Sequence, residues 1–141
     1  MLARMQHLDF VAARHQAVLI TLRADGSPQS SNISYDWYDG RVRVSVTADR
    51  AKTANLRRDP RGVLHVLGDS FWQYASVKVT ASLGQVTVEP GDAAGRELLE
   101  MYERISGSAH PDPPEFFEAM VAERRLVLSL TPSAVVGMGL S

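Results

Sequence analysis

The chain has 141 residues, a length that suits one domain with a full hydrophobic core, and we predict a single domain over residues 1–141. Its formal net charge is −1, so no overall field would draw it onto nucleic acid or a membrane surface, and we expect neither as a partner. The absence of cysteine excludes disulfides, a thiol nucleophile and a thiolate metal site. Neither a signal-peptide pattern nor an apolar run near the roughly 20 residues of a membrane span occurs, so we expect a cytoplasmic protein.

The first half of the chain predicts a helix over 3–14, followed by strands that are joined by tight turns. The apolar side of this helix consists of Met5, Leu8 and Ala12. The predicted strands and turn signals are, in order, 17–22, Asp25-Gly26, 29–38, Asp39-Gly40 and 41–47. A short basic helix then begins near residue 50 and ends near Pro60, because a proline disfavours helical geometry at the residue before it.

The second half of the chain predicts three more strands and two helices. The predicted elements are a strand over 62–67, a long strand over 71–88, a helix over 92–105, a helix opening at Pro114 and a strand over 126–130. The apolar stripe of the last helix consists of Phe117, Met120 and Val121. Pro132 is predicted to follow the end of the last strand.

Six strands in hairpin order with few helices predict a mainly β (α+β) fold, a six-stranded antiparallel barrel with peripheral helices. A parallel α/β fold fits poorly, because the turns between the first three strands are too short for crossover helices.

The segment 49–60 is unusual because its positive charges begin at the wrong end of a helix. A helix N-terminus already carries about half a unit of positive charge, and acidic residues normally stabilise it. Here Arg50 and Lys52 occupy the first turn together with the hydroxyl of Thr53. Two cations and free backbone N–H groups at one point favour an anion site, and phosphate is the anion we expect. The alternative is a solvated helix face, which applies in part to Arg57, Arg58 and Arg61.

The sequence lacks the motifs of several other common functional sites. None of the four histidines (His7, His15, His65 and His110) stands at metal-ligand spacing from another ligand, so we expect no metal site. His65 lies in the middle of a predicted strand, and we interpret it as a structural histidine. A Gly-x-Ser-x-Gly elbow, a Walker loop and a GxGxxG loop are all missing, which disfavours a triad hydrolase and classical dinucleotide binding.

Trp72 and Tyr74 occupy the same side of a predicted strand as Lys78, opposite its aliphatic stripe. One interpretation is a hydrophobic patch covered by a helix or another subunit. The other is a wall against a planar ring, since aromatic side chains pack against flat π-systems.

Gln29, Ser31 and Asn32 form a polar stretch that could hydrogen-bond to the edge of a heterocycle. The alternative is a strand face in water. In a small barrel this stretch, the basic helix and the long strand can all border one cleft.

Three stretches of the chain together resemble the pyridoxamine-phosphate-oxidase-like split β-barrel superfamily. They are Asp25-Gly26-x-Pro28-Gln29-x-Ser31-Asn32, then Arg50-Ala51-Lys52-Thr53-x-Asn55-Leu56-Arg57-Arg58-Asp59-Pro60-Arg61, and Trp72-x-Tyr74-Ala75. More narrowly, they are similar to the actinobacterial deazaflavin-dependent oxidoreductases of the split-barrel B group. The second stretch is fairly specific for the superfamily, but it does not decide which flavin is bound.

The resemblance implies a homodimer with two cofactor clefts at the subunit interface. The cofactor would be coenzyme F420, a deazaflavin with a phospholactyl-oligoglutamate tail, or else FMN. The implied phosphate site consists of Arg50, Lys52 and Thr53, with Asn55 nearby. The implied contacts to the ring or its polar chain are Gln29, Ser31 and Asn32, with Ser45 and Val46 beneath the ring and Trp72 and Tyr74 from the second subunit.

The implied activity is hydride transfer from reduced F420 to a conjugated small-molecule acceptor. The alternatives are an FMN-dependent flavoprotein, a non-catalytic F420 carrier, and a dimeric barrel without a cofactor. Two positions depart from the pattern of relatives: Ser27 stands where a basic residue is common, and Lys78-Val79 replaces a Glu-Gly step.

Overall fold

The computed structural model describes residues 2–140, with their side chains from His7 onward. The helices in this range are α1 (Leu2–Ala12), α2 (Ala51–Arg58), α3 (Ala93–Ser106) and α4 (Pro113–Ala122). The strands are β1 (Gln16–Leu22), β2 (Pro28–Ser34), β3 (Asp36–Tyr38), β4 (Arg41–Thr47), β5 (Arg61–Leu67), β6 (Tyr74–Leu83) and β7 (Arg125–Met138). On α1, Leu8 and Ala12 are half-buried, whereas the side chain of Met5 lies outside the described ones. No helix within residues 2–140 is both long and apolar enough to span a membrane.

The seven strands form one antiparallel sheet in the order β2-β1-β5-β6-β7-β4-β3. The sheet curls until its two ends approach each other, and β2 lies beside β4 without pairing to it. We call the open line between β2 and β4 the seam. This arrangement confirms the predicted fold class, an antiparallel split β-barrel with peripheral helices.

The structure has seven strands rather than the predicted six, because the stretch 29–38 forms two of them. β2 pairs with β1 as far as Ser34, whereas Asp36 begins the pairing of β3 with β4. Tyr35 between them is buried, and its hydroxyl donates to the Val11 carbonyl at 2.7 Å. β2 and β3 lie at opposite ends of the sheet order, so the chain crosses the seam at this point. Period-2 alternation does not reveal such a crossing, because it is the same on both sides.

β6 is shorter and β7 is longer than predicted. β6 covers Tyr74–Leu83 rather than 71–88, which leaves the preceding aromatic pair in a turn. β7 continues through Pro132 to Met138, although proline has no N–H to donate to a ladder. The pairing register with β6 shifts next to Pro132, which leaves Ser133 as an extra residue in β7. This β-bulge accommodates the proline inside a strand.

The two faces of β4 serve different purposes. Val42, Val44 and Val46 point into the main core of the barrel. The alternate residues face outward, and their directly paired neighbours on β7 do the same: Arg43 with Ser129, Ser45 with Val127, and Thr47 with Arg125. α3 and α4, which we call the helical cap, cover this outer face. A second apolar cluster holds the cap in place and consists of Leu98, Met101, Phe116 and Val127.

The ends of the cap helices follow local chemistry. The Asp92 side chain caps α3 by accepting from the Gly95 amide at 2.8 Å, and Gly107 ends it with φ 78°. The predicted helix over 92–105 is therefore confirmed. α4 begins at Pro113, one residue before the predicted Pro114, and it buries Phe116 rather than the predicted stripe alone.

Candidate cofactor site

A cleft of about 640 Å³ lies between the seam and the helical cap. This volume falls within the about 300–1,000 Å³ that is typical of small-molecule sites. The walls come from β2 (residues 32–34), β4 (residues 44–47), the start of α2, the helical cap and Arg125 of β7. The cleft therefore occupies the place where the barrel fails to close.

One part of the cleft carries three cations, Arg50, Lys52 and Arg125, and none of the described side chains that line the cleft is a carboxylate. Arg125 pairs with Glu123 at 2.9 Å, and its Nη1 donates to the carbonyl of Ser45 at 3.3 Å. Arg50 and Lys52 form no ion pair with any side chain in the described part of the chain. Two cations thus remain free to bind an anion.

The first turn of α2 adds backbone donors at the same point. Arg50 occupies the N-cap position, and no side chain caps the turn. The first intrahelical bond runs from Ala54 N to Arg50 O, so the amides of Ala51, Lys52 and Thr53 have no partner within the helix. Open N–H groups beside two free cations form a donor set that fits a phosphate.

The electrostatics of Lys52 support this fit. Burial lowers the pKa of Lys52, and the positive charges of Arg50 and Arg125 lower it further. An anion in the cleft would offset both the lost hydration and the like charges. The free protein therefore concentrates positive charge at a cost that a bound anion relieves.

β4 offers backbone groups to a ligand along the seam. The carbonyls of Arg125 and Val127 accept hydrogen bonds from amides on the side of β7 that faces away from β4. Thr47 and Ser45 are paired with these two residues across the ladder, so they occupy non-hydrogen-bonded positions and form no ladder bonds with β7. Their backbone groups point toward the seam, beyond the end of β3. The Thr47 carbonyl accepts from the Thr53 hydroxyl at 2.8 Å, and the Ser45 carbonyl accepts from Arg125. The Ser45 amide is left as a donor at the edge of the cleft.

Of the sequence-predicted site residues, the structure brings five together in this cleft: Asn32, Ser45, Val46, Arg50 and Lys52. Ser31 does not line it; Ser31 pairs with Leu19 and lies on the inward face of β2.

Three further predicted residues lie behind the cleft. Thr53 is fully buried, and its hydroxyl bonds to the Thr47 carbonyl. Asn55 donates to Gln29 Oε1 at 2.8 Å and to Thr21 Oγ1 at 3.1 Å. These bonds tie α2 to β1 and β2, so the side chains of Thr53, Asn55 and Gln29 orient the N-terminus of α2.

Trp72 and Tyr74 do not line the cleft of their own chain. Trp72 is 69% exposed in the turn before β6, and the ring of Tyr74 stacks on His65 with centroids 5.2 Å apart. Their contact with a cofactor, which the resemblance implies from a second subunit, stays a prediction.

Sequence reasoning missed one whole wall of the cleft. The cap contributes Leu98, Met101, Tyr102, Ile105, Phe116 and Met120. Helical periodicity predicts all four of these α3 residues as an apolar stripe, but it does not show that the stripe covers a cleft as well as a core. Arg125 was also missed, because only its register opposite Thr47 brings it to the site.

An ion network around the buried pair of Arg43 and Asp36, which the sequence pattern does not predict, holds the cap over the sheet. Arg43 is 1% exposed, and its Nε and Nη2 donate to the two carboxylate oxygens of Asp36 at 3.0 and 2.6 Å. The same guanidinium donates to Glu97 at 3.1 Å and to Glu100 at 2.9 Å, both on α3. Arg104 of α3 donates back to Asp36 at 3.0 Å. Strands β3 and β4 are thereby joined to the helix that forms the cleft wall.

The state of Arg43 follows from these partners. Burial by itself lowers the pKa of Arg43, but hydrogen bonds to Asp36, Glu100 and Glu97 outweigh burial and raise the pKa above its ordinary value. The ring of Tyr38 lies 4.1 Å from the guanidinium carbon and adds a cation–π contact. Arg43 therefore stays charged and fixed in place.

Fold and cleft together define a split β-barrel protein with a cation-lined cleft at its open seam. The family model described as pyridoxamine 5'-phosphate oxidase matches residues 4–138, and the chain belongs to this family. The resemblance drawn from the sequence motifs is thus confirmed at the level of the superfamily.

Solved structures share the fold at low sequence identity. A protein called F420 reductase is 21% identical with a TM-score of 0.68, covering 91% of this chain and 94% of its own. A conserved hypothetical protein from Mycobacterium tuberculosis is 24% identical with a TM-score of 0.75, covering 99% and 85%. The heme storage protein HutZ from Vibrio cholerae is 14% identical with a TM-score of 0.65, covering 97% and 92%. At these identities the likeness concerns the fold alone.

Proposed function

We propose that the protein binds coenzyme F420 and transfers a hydride from its reduced form to a conjugated small-molecule acceptor. The observation that carries this proposal is the cleft, which joins two unpaired cations and open helix amides to a backbone edge and an apolar wall. A solved relative in fold that is called F420 reductase supports the choice of cofactor.

Each part of the cleft has a place in this proposal. The phosphate would bind to Arg50, Lys52 and the first-turn amides of α2. The ring would lie along β2 and β4, where Asn32 and the Ser45 amide supply hydrogen bonds. When bound, the cofactor supplies the hydride, so the protein needs no catalytic dyad of its own. The protein's own residues bind and orient the ring, and the apolar cap excludes water from it.

The test compares the binding of F420 and of FMN to the purified protein. Quenching of F420 fluorescence measures the first, and the absorbance of FMN measures the second. We expect tight F420 binding and weak FMN binding. A yellow preparation with an FMN spectrum would overturn the choice of F420. Steady-state assays with reduced F420 and a panel of enones and quinones then separate an enzyme from a carrier, because a carrier binds without turnover.

We also propose a homodimer with a cofactor cleft at each side of the interface. The exposed large apolar residues near the start of β6 include Leu67, Phe71, Trp72, Val136 and Met138. The sheet register places Leu67, Tyr74 and Met138 side by side across three strands. An exposed patch of this kind marks a protein contact. Sedimentation equilibrium should give twice the 15.5 kDa mass of the chain, and a Trp72→Ser variant should shift it toward the monomer. A monomeric wild type would contradict this proposal.

Lys52→Met should stabilise the free protein while it weakens F420 binding. The pKa of Lys52 in the folded protein lies below its value in the unfolded chain, so a protonated Lys52 opposes folding. The wild-type melting temperature should therefore rise as pH increases from this lowered pKa toward the ordinary one, and the variant should lack that rise. At neutral pH we expect the variant to melt roughly 1–4 °C higher by calorimetry, since half-exposed charges change stability by less than about 1 kcal/mol. A matched Arg57→Met variant should neither raise the melting temperature nor weaken F420 binding. A melting temperature of Lys52→Met below that of the wild type would refute the view that Lys52 opposes folding.

A further inference from the structure

The proposed function does not say where the hydride acceptor binds. A second cavity of about 500 Å³ borders the cofactor cleft and shares Asn32, Ile33 and Ser34 with it. The shared residues belong to β2, the edge strand along the seam. The cofactor cleft lies at this edge, and the second cavity lies over the outer face of β1, β2 and β5. A molecule in the second cavity can therefore meet a ring that lies along β2.

The register of the strands places His65 inside this second cavity. Val18 pairs directly with Asn32 on one side and with His65 on the other. The three side chains form a row across β2, β1 and β5, on the face opposite the buried Leu19. Adjacent strands lie about 4.8 Å apart, so about 10 Å separate Asn32 from His65. A small conjugated molecule spans this distance.

Within the described part of the chain, the side chain of His65 lacks the hydrogen bonds that hold a structural histidine in place. Its ring nitrogens have no hydrogen-bond partner among the described residues, although hydrogen bonds hold His15 and His110. His65 is nevertheless held in position, because its ring stacks on Tyr74 with an interplanar angle of 30°. An ordered imidazole that is open to a cavity and lacks a partner is available to a ligand.

The lining of the cavity indicates the chemistry of that ligand. Apart from His65, the described lining residues carry no ionisable side chain. Val18 provides an apolar contact, Gln16, Asn32 and Ser34 provide hydrogen-bond donors, and Leu67 marks where the cavity meets the apolar patch assigned to the dimer contact. Such a site suits an uncharged planar molecule whose carbonyl oxygen needs a donor.

We infer that the second cavity binds the hydride acceptor, an uncharged conjugated carbonyl compound, and that His65 is a catalytic residue that protonates it. The inference rests on the proposed function. When the carbon β to the carbonyl gains the hydride, the electron pair of the carbon–carbon double bond shifts toward the carbonyl, and its oxygen takes the negative charge of an enolate. The N–H bond of the His65 imidazolium breaks and an O–H bond forms, which leaves neutral imidazole. Water then returns a proton to His65. Imidazole suits this step because a ring nitrogen can donate a proton and then accept one again.

The first test uses wild-type protein with oxidised F420 bound, ¹³C-labelled histidine and menadione as the probe. Menadione should shift the imidazole signals of His65 and leave those of His110, which lines neither cavity, in place. Unmoved His65 signals would overturn the inference even though F420 binds. Failure of F420 itself to bind would instead overturn the proposed function.

The second test compares His65→Gln with the matched control His110→Gln. His65→Gln should bind F420 within about twofold of wild type, which also reports that it is folded. Its single-turnover reduction of menadione should slow by about 100-fold or more, since general acid catalysis contributes about 10²–10⁴-fold. His110→Gln should retain the wild-type rate. A His65→Gln rate equal to that of wild type would remove the proton-donor role.

Discussion

Replacing both Arg50 and Lys52 by alanine should weaken F420 binding at least tenfold. Both cations line the cleft without an ion-pair partner in the described part of the chain, so their charge is available to the cofactor phosphate. Hydrogen bonds to charged groups contribute about 1.5–3 kcal/mol each, and the loss of even one of them corresponds to about tenfold or more in affinity. Fluorescence titration of the purified variant with F420 measures this loss.

A matched control removes the same charge outside the cleft. Arg57 and Arg61 are exposed cations near the other end of α2, and Arg61 already pairs with Asp59 at 2.8 Å. The double variant Arg57→Ala with Arg61→Ala should bind F420 within about twofold of wild type. Equal losses in the two double variants would show that net charge, rather than a phosphate site, governs binding. Unchanged affinity after loss of Arg50 and Lys52 would refute the phosphate site.

Replacing Arg43 by methionine should destabilise the fold by about 3–5 kcal/mol, which is the typical cost of leaving a buried charge without its partner. Asp36 is fully buried and, among the described residues, would keep only Arg104, which is half-exposed, as a charged partner. Urea unfolding followed by circular dichroism measures the change. The helical cap should loosen first, because Arg43 is the link from β4 to Glu97 and Glu100 on α3.

Two variants separate this cost from the loss of a surface charge. Arg41→Met removes an arginine two residues away that pairs with the exposed Asp39, and it should cost less than about 1 kcal/mol. Combining Arg43→Met with Asp36→Leu should recover part of the loss, because no buried carboxylate is then left unpaired. An Arg43→Met variant as stable as Arg41→Met, or a double variant whose losses simply add, would contradict this account.

Local signals in the sequence predicted most of the elements. Asp39-Gly40 predicted the hairpin that joins β3 to β4, and both residues have the positive φ that such a turn requires. The predicted helix over 92–105 agrees with α3, which Asp92 and Gly107 cap. Signals of this kind work because they depend on the backbone conformation of a few adjacent residues. They fail where a strand crosses the seam at Tyr35 or passes a proline at a bulge, because the partner strand decides those positions.

The residues of the candidate site likewise fall into those that local sequence predicted and those that only tertiary contacts revealed. Arg50 and Lys52 were predicted because the cations and the open amides lie within one turn of one helix. Thr53 and Asn55 belong to the same block, but their side chains point to β4, β1 and β2, a fact that tertiary contacts determine. Arg43 gave no signal, since an arginine that alternates with valines is typical of a strand with one wet face.

The sequence by itself determined the superfamily, the antiparallel barrel and a cationic helix start, because each depends on residues close together in the chain or on a motif of fixed spacing. Only the tertiary structure decided where the barrel stays open, which helices wall the cleft and which histidine faces a cavity. Those features arise from residues up to about a hundred positions apart, which meet only after the sheet curls and the register of its strands is set.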